Sequence, residues 1–196
     1  MITITPTKGT ITMITDRNMR TASLTLVMLT VFAGASSGQA STGPIVDGGG
    51  ATYAVPNPTF ETPMDRNFRA VFELRSPAGS PDQLNQNLNT MARYLNMHAR
   101  AGVPREHVRV AGVVHGGAAL EMLQDEHYRA AHGVENPNRE LIAEVLDAGG
   151  QLILCGQTAG RLGISQDQLL PGVQVALSAM TALTVLQQDG YQVILW

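Results

Sequence analysis

Cys155, the only cysteine of the chain, is the residue best suited to chemistry. It ends the apolar run Gln151–Cys155, and Gly156 follows it in a stretch that predicts a short helical turn. A thiol at a helix start lies near unpaired backbone N–H groups and the positive end of the helix dipole, and both favour the reactive thiolate. Free cysteines are also among the most buried residues. The sequence therefore predicts either a nucleophilic thiol or an inert thiol that packs in the core.

A second candidate, His115, ends the apolar run His107–His115 (HVRVAGVVH). If the two runs are neighbouring parallel strands about 4.8 Å apart, Cys155 and His115 meet at one edge of the sheet and share a pocket. A protonated imidazole there would lower the pKa of the thiol, whereas a histidine with a purely structural hydrogen bond is the alternative.

Small and polar residues follow both strand ends. Gly116-Gly117 can cradle an anion at a helix start or simply form a turn. Gly156 allows close approach of a ligand or of backbone. We take Cys155 as the candidate catalytic residue. The candidate ligand-binding residues are His115, Gly116, Gly117, Gly156 and Gln157.

Other kinds of site are weakly indicated. Glu126, His127 and His132 are too irregularly spaced to predict a metal site, and a single cysteine excludes zinc sites built from several cysteines. The sequence contains no GxGxxG dinucleotide motif, Walker loop or serine nucleophile elbow. We therefore expect no metal and no cofactor.

The hydrophobic pattern predicts an α/β domain. Apolar runs predict strands at 68–75, 107–115, 151–155 and 191–196. A helix is predicted from the three- and four-residue spacing of Leu84, Leu88, Met91, Leu95 and His98. Further helices are expected at 118–124, from Asn136-Pro137 and from Pro171-Gly172. A loop around His127, Tyr128 and His132 is expected between the helix at 118–124 and the helix that starts at Asn136-Pro137. This alternation calls for a parallel sheet with helices on both faces.

The helix from Pro171-Gly172 is expected to be the longest. Its apolar stripe would consist of Val173, Ala176, Leu177, Met180 and Leu183. Just before it, Ser165 and Gln168 have the spacing of a capping box.

The N-terminal segment has the pattern of a secretory signal. Arg17 and Arg20 precede an apolar stretch, 22–35, and Gly38 and Ala40 fit a signal-peptidase site that would leave Ser41 as the mature start. Residues 1–18 look like a leader of the kind that expression vectors add. We expect an exported protein, periplasmic or secreted, with no stable membrane insertion after cleavage.

Three segments therefore divide the chain. Residues 1–40 form the leader and signal peptide, 41–65 an arm rich in proline and glycine, and 66–196 the α/β domain. The arm is too rich in proline for a helix or a central strand, so it either lies on the domain or tethers it.

The amino-acid composition limits the classes of binding partner that are expected. The formal net charge is -3, and aromatic residues make up 5% of the chain. Without a basic stripe or stacking platforms, nucleic acid is not expected as a partner. Hydrophobic residues at 44% suffice for a core.

The order of several motifs resembles the DsrE/DsrF-like family, specifically its exported single-domain members, over roughly 66–196. These motifs are His115-Gly116-Gly117-Ala118, Asn136-Pro137-Asn138, Ala148-Gly149-Gly150, Cys155-Gly156-Gln157, Leu170-Pro171-Gly172-Val173 and Leu186-Gln187-Gln188-Asp189-Gly190-Tyr191. The resemblance implies a flavodoxin-like three-layer fold and a homo-oligomer, trimer or hexamer. It also implies that Cys155 accepts sulfur as a persulfide from a small sulfur-containing ligand.

Three functional hypotheses remain open from the sequence. The first is a sulfur carrier or sulfurtransferase-like protein acting through Cys155. The second is a non-catalytic protein that binds a small ligand or serves assembly. The third is a thiol-based redox sensor.

Overall fold

The computed structural model describes residues 38–195. The predicted leader and apolar stretch lie outside the described residues, except for Gly38–Ala40. The strands are β1 Phe68–Leu74, β2 Val108–Val114, β3 Gln151–Cys155, β4 Gln174–Ala176 and β5 Gln192–Ile194. The α-helices are α1 Gln86–Arg100, α2 Asp125–His132, α3 Arg139–Asp147, α4 Gly156–Leu162 and α5 Ala179–Gln188. Among these, none is long and apolar enough to cross a bilayer.

All five strands are parallel, in the order β4-β3-β2-β1-β5. The central strand β2 is buried along almost its whole length, as expected for a strand covered on both faces. The larger core lies between one face and helices α1 and α3, and α5 covers the other face. The predicted fold class, a flavodoxin-like α/β fold with helices on both faces, is confirmed.

The face on which α5 lies follows from the direction in which the β4–β5 connection crosses the sheet. The chain moves one way across the sheet from β1 to β4, then returns through α5 so that β5 lies beside β1. Crossovers between parallel strands are right-handed, so a crossover that runs in the reverse direction places its helix on the opposite face. The two edge strands are β4 and β5, each of three residues.

The prediction of a long helix from Pro171-Gly172 is wrong. Gly172 has a φ of +86° and forms a turn, residues 174–176 pair with the open edge of β3, and the helix starts only at Ala179. Unpaired backbone groups on the edge of β3 need partners, and this demand overrides the helical spacing. Among residues 38–195 the longest helix is α1, with 15 residues.

Two segments after the second strand differ from expectation. The short helix expected at 118–124 is a 3-10 helix over Gly116–Met122. His127, Tyr128 and His132, expected in a loop, lie in α2. Tyr128 is buried, and its hydroxyl donates to the Pro81 carbonyl at 2.8 Å. The eight residues of α2 carry one buried apolar side chain, too few for a helical period to be visible in the sequence.

The first half of the arm is held on α1 by polar side chains. Asn96, fully buried, bonds to backbone groups of Ile45 and Val46. The Glu144 carboxylate of α3 accepts the N–H groups of Asp47 and Gly48. Residues 41–52 therefore lie against the domain.

Candidate functional site

Cys155 lies where three elements meet. It ends β3 and directly precedes α4, and its β4 register partner is Ala176, two residues before the N-cap of α5. The side chain of that N-cap, Ser178, accepts the N–H of Thr181 at 3.0 Å. The sulfur is therefore close to the N-termini of two helices.

The electrostatic surroundings favour the thiolate. Burial raises the pKa of the Cys155 thiol. Burial is the largest single effect, but the N–H groups of Thr158 and Ala179, the Thr158 hydroxyl and the Gln157 N–H together outweigh it, and the pKa of the thiol lies below its usual value. Cys155 makes no side-chain cap hydrogen bond to α4, so these groups act on the sulfur as nearby dipoles.

The two residues after Cys155 bring α4 close to the β4–α5 junction. A Cβ atom at Gly156 would lie 2.5 Å from the Ala176 carbonyl oxygen, so only glycine fits without displacing backbone. The Gln157 side chain donates to the Leu177 carbonyl at 3.1 Å. Both predicted ligand-binding residues thus hold the loop that supplies the second helix N-terminus.

His115 directly follows β2, next to Cys155 at the edge of the sheet, and its side chain forms a hydrogen bond with Glu73. Val114 and Leu154 are register partners, so the next residues, His115 and Cys155, are neighbours at the same edge. The His115 Nε2 lies 2.7 Å from the Glu73 carboxylate of β1, and no hydrogen bond joins it to Cys155 within residues 38–195.

Gly116 and Gly117 turn the chain tightly against the loop after β1. A Cβ atom at Gly116, where φ is +62°, would lie 2.9 Å from the Arg75 carbonyl oxygen, and one at Gly117 would lie 2.9 Å from Pro77. These contacts explain the two glycines by packing. An anion is not needed to explain them.

The expected shared pocket has no counterpart among five clefts identified on the described residues. None of the five is lined by Cys155 or His115, and Cys155 is 6% exposed. Across 38–195 no three His, Cys, Asp or Glu side chains are grouped as a metal site would require.

Sequence reasoning missed three contributors to this edge: Glu73, Thr158 and the N–H of Ala179. Thr158 could have been found, because it lies three residues after Cys155, in the first turn of the helix that starts at Gly156. Glu73 lies on a predicted strand with no local signal. Ala179 is 24 positions from the cysteine, and only the fold brings it there.

Comparison with known proteins identifies the family of the chain. A family model described as the DsrE/DsrF-like family matches residues 69–196. A solved structure, the protein of unknown function MTH1491 from Methanobacterium thermoautotrophicum, is 21% identical, with a TM-score of 0.47 over 65% of this chain and 98% of that chain. No curated protein matches the chain significantly. Since the family model covers well over half of the sequence, the chain belongs to the DsrE/DsrF-like family.

Proposed function

We propose that Cys155 carries sulfane sulfur as a persulfide. The observation that supports this most is the position of the thiol, close to the N-termini of α4 and α5 and at the carboxyl ends of parallel strands, where ligands of such sheets bind. A depressed pKa makes the thiolate available at neutral pH, and the thiolate is the nucleophile. Membership in the DsrE/DsrF-like family is compatible with a sulfur-relay role.

The step requires no external oxidant. The Cys155 thiolate attacks the outer sulfur of a persulfide donor, R–S–SH, and forms a new S–S bond. The S–S bond of the donor breaks, and the donor leaves as the thiolate R–S⁻. The product is Cys155–S–SH, whose anion the N–H groups of Thr158 and Ala179 would stabilise as they do the thiolate.

Exposure to inorganic polysulfide is expected to add one sulfur atom (about 32 Da) to the native protein. Intact mass measures the uptake, and Cys155→Ser is the matched control, because it removes the only thiol. Iodoacetamide alkylation against pH should have a midpoint below the free-thiol value of about 8.5. Uptake by Cys155→Ser, or alkylation only after denaturation, would refute the proposal.

The alternative, a binding or assembly protein without turnover, is favoured by one observation. Leu177 and Met180 are 74% and 76% exposed, and they flank the Ala179 N–H that faces Cys155. We propose that a second copy of the chain covers this surface in a homo-oligomer, a trimer or hexamer. Assembly of this kind would also complete the surroundings of the thiol.

Met180→Asp is expected to convert that oligomer to monomers, because a buried unpaired charge is costly. Size-exclusion chromatography with light scattering measures the molar mass of each protein in solution. Phe60→Asp is the control, because Phe60 is 88% exposed but lies on the arm. A monomeric wild-type protein, or equal masses for all three proteins, would contradict the assembly.

We also propose export with cleavage before Ser41. Within the described residues, hydrogen bonds from the N-terminal segment to the rest of the chain begin at Ser41, whose N–H donates to the Thr52 carbonyl at 3.0 Å. The protein recovered from the exported fraction should therefore have the mass of residues 41–196. A chain that retains residues 19–40 there would rule out cleavage at this position.

A further inference from the structure

Two arginines lie side by side at the amino end of the sheet, opposite the edge that carries Cys155. Arg69 of β1 and Arg109 of β2 are register partners, so their backbones are about 4.8 Å apart. Both side chains extend from the sheet face that α5 covers. Side chains two residues apart on a strand share a face, and Val71 and Ala111, two residues further on, pack against α5. They line a cleft of about 630 Å³.

Neither guanidinium has an acidic partner. In the described part of the chain, the ion pairs within 4.0 Å involve other residues. Arg69 Nη1 donates to the Asp189 carbonyl at 2.7 Å. Arg109 Nη1 donates to the carbonyls of Arg105 and Val108 at 3.0 and 2.9 Å. In each arginine these bonds use only the Nη1 nitrogen. The other N–H donors of both guanidinium groups have no protein acceptor within residues 38–195.

The rest of the cleft suits a polar ligand. The Gln151 amide donates to the Tyr191 hydroxyl at 3.2 Å, and both side chains line the cleft. A Cβ atom at Gly149 would meet nothing within 4 Å, so this wall is open. Asp189 is the one acid among the lining residues.

Arg109 also lines a second, smaller cleft. It is lined by Arg105, Glu106 and Asp147 as well as Arg109. Neither of these two carboxylates forms an ion pair with Arg109.

We propose that Arg69 and Arg109 form a binding site for a phosphate or sulfate group. Both arginines line the same cleft, so a dianion bound there would be paired with two positive charges. The planar fork of arginine matches the oxygen spacing of such oxyanions. The site lies about 20 Å from Cys155, one strand length away, so it is independent of the proposed persulfide chemistry.

The test is titration of the isotopically labelled full chain with sodium phosphate and sodium sulfate, followed by NMR. Sodium chloride at equal ionic strength is the reference. We expect saturable shifts of the Gly149 and Gly190 amides. Arg69→Gln and Arg109→Gln should each weaken binding at least fivefold, and the double variant at least twentyfold. Phosphate bound more tightly than sulfate would assign the site to a phosphate ligand, and the reverse order to a sulfate ligand.

Two further variants guard against misinterpretation. Arg75→Gln changes an exposed arginine at the other end of β1 and should bind as the wild type does. Arg109→Lys keeps the charge, so it should fold, and it should bind with an affinity between those of wild type and Arg109→Gln. Shifts no larger than those with chloride would overturn the proposal, as would unchanged binding in the double variant. Loss of oligomers in the double variant without phosphate binding by wild type would instead assign the pair to an acidic group of a second copy.

Discussion

Replacing Gly156 with alanine is expected to raise the pKa of the Cys155 thiol and to destabilise the protein by about 2 kcal/mol. The new Cβ would lie 2.5 Å from the Ala176 carbonyl oxygen and 3.2 Å from that of Leu177. Both atoms belong to the backbone, so no side-chain rotation relieves the clash. The β4–α5 junction must move, and it carries the Ala179 N–H away from the sulfur.

The matched control lies in the same helix. A Cβ at Gly160 would meet nothing within 4 Å, so Gly160→Ala should stabilise the protein by about 0.5–1 kcal/mol through helix propensity and leave the thiol pKa unchanged. Urea unfolding measures stability, and the pH profile of iodoacetamide alkylation measures the pKa. Equal alkylation profiles for the two variants would show that the N-terminus of α5 does not act on the thiol.

Asn96→Leu is expected to lower the free energy of unfolding by about 3 kcal/mol. The Asn96 Oδ1 accepts the N–H groups of Ile45 and Val46 at 3.0 and 2.9 Å. Its Nδ2 donates to the Val46 carbonyl at 2.8 Å and to the carbonyls of Gly49 and Gly50 at 3.3 and 3.2 Å. Leucine has a similar volume but leaves these backbone groups unpaired, and an unpaired buried group costs about 1–3 kcal/mol.

Asn89→Ala serves as the comparison on the same helix face. Asn89 accepts one bond, from the Gly50 N–H at 2.7 Å, so its loss should cost about 1 kcal/mol. Urea denaturation ranks the two variants, and limited proteolysis between Gly43 and Thr52 reports whether the arm has come away. If Asn96→Leu were as stable as Asn89→Ala, the bonds of Asn96 to the arm would contribute no more to stability than the single bond of Asn89.

The strands that carry the candidate site were predictable because their signal is local. β2 and β3 are nearly continuous apolar runs, and each ends within one residue of its predicted boundary. β4 was not predictable, because Val173, Ala176 and Leu177 also fit a helical repeat. A three-residue strand forms there only because β3 offers an unpaired edge.

The α/β class, the order of the main elements and the position of the single cysteine at a strand end follow from local sequence patterns. These properties depend on hydrophobic period and on turn residues a few positions apart. The tertiary structure alone decided what faces the thiol and which charges are neighbours. The N–H of Ala179 near Cys155, the Glu73–His115 pair and the Arg69–Arg109 pair all depend on strand register and on the return crossover through α5. Such contacts join residues 24 to 42 positions apart, beyond the reach of any local pattern.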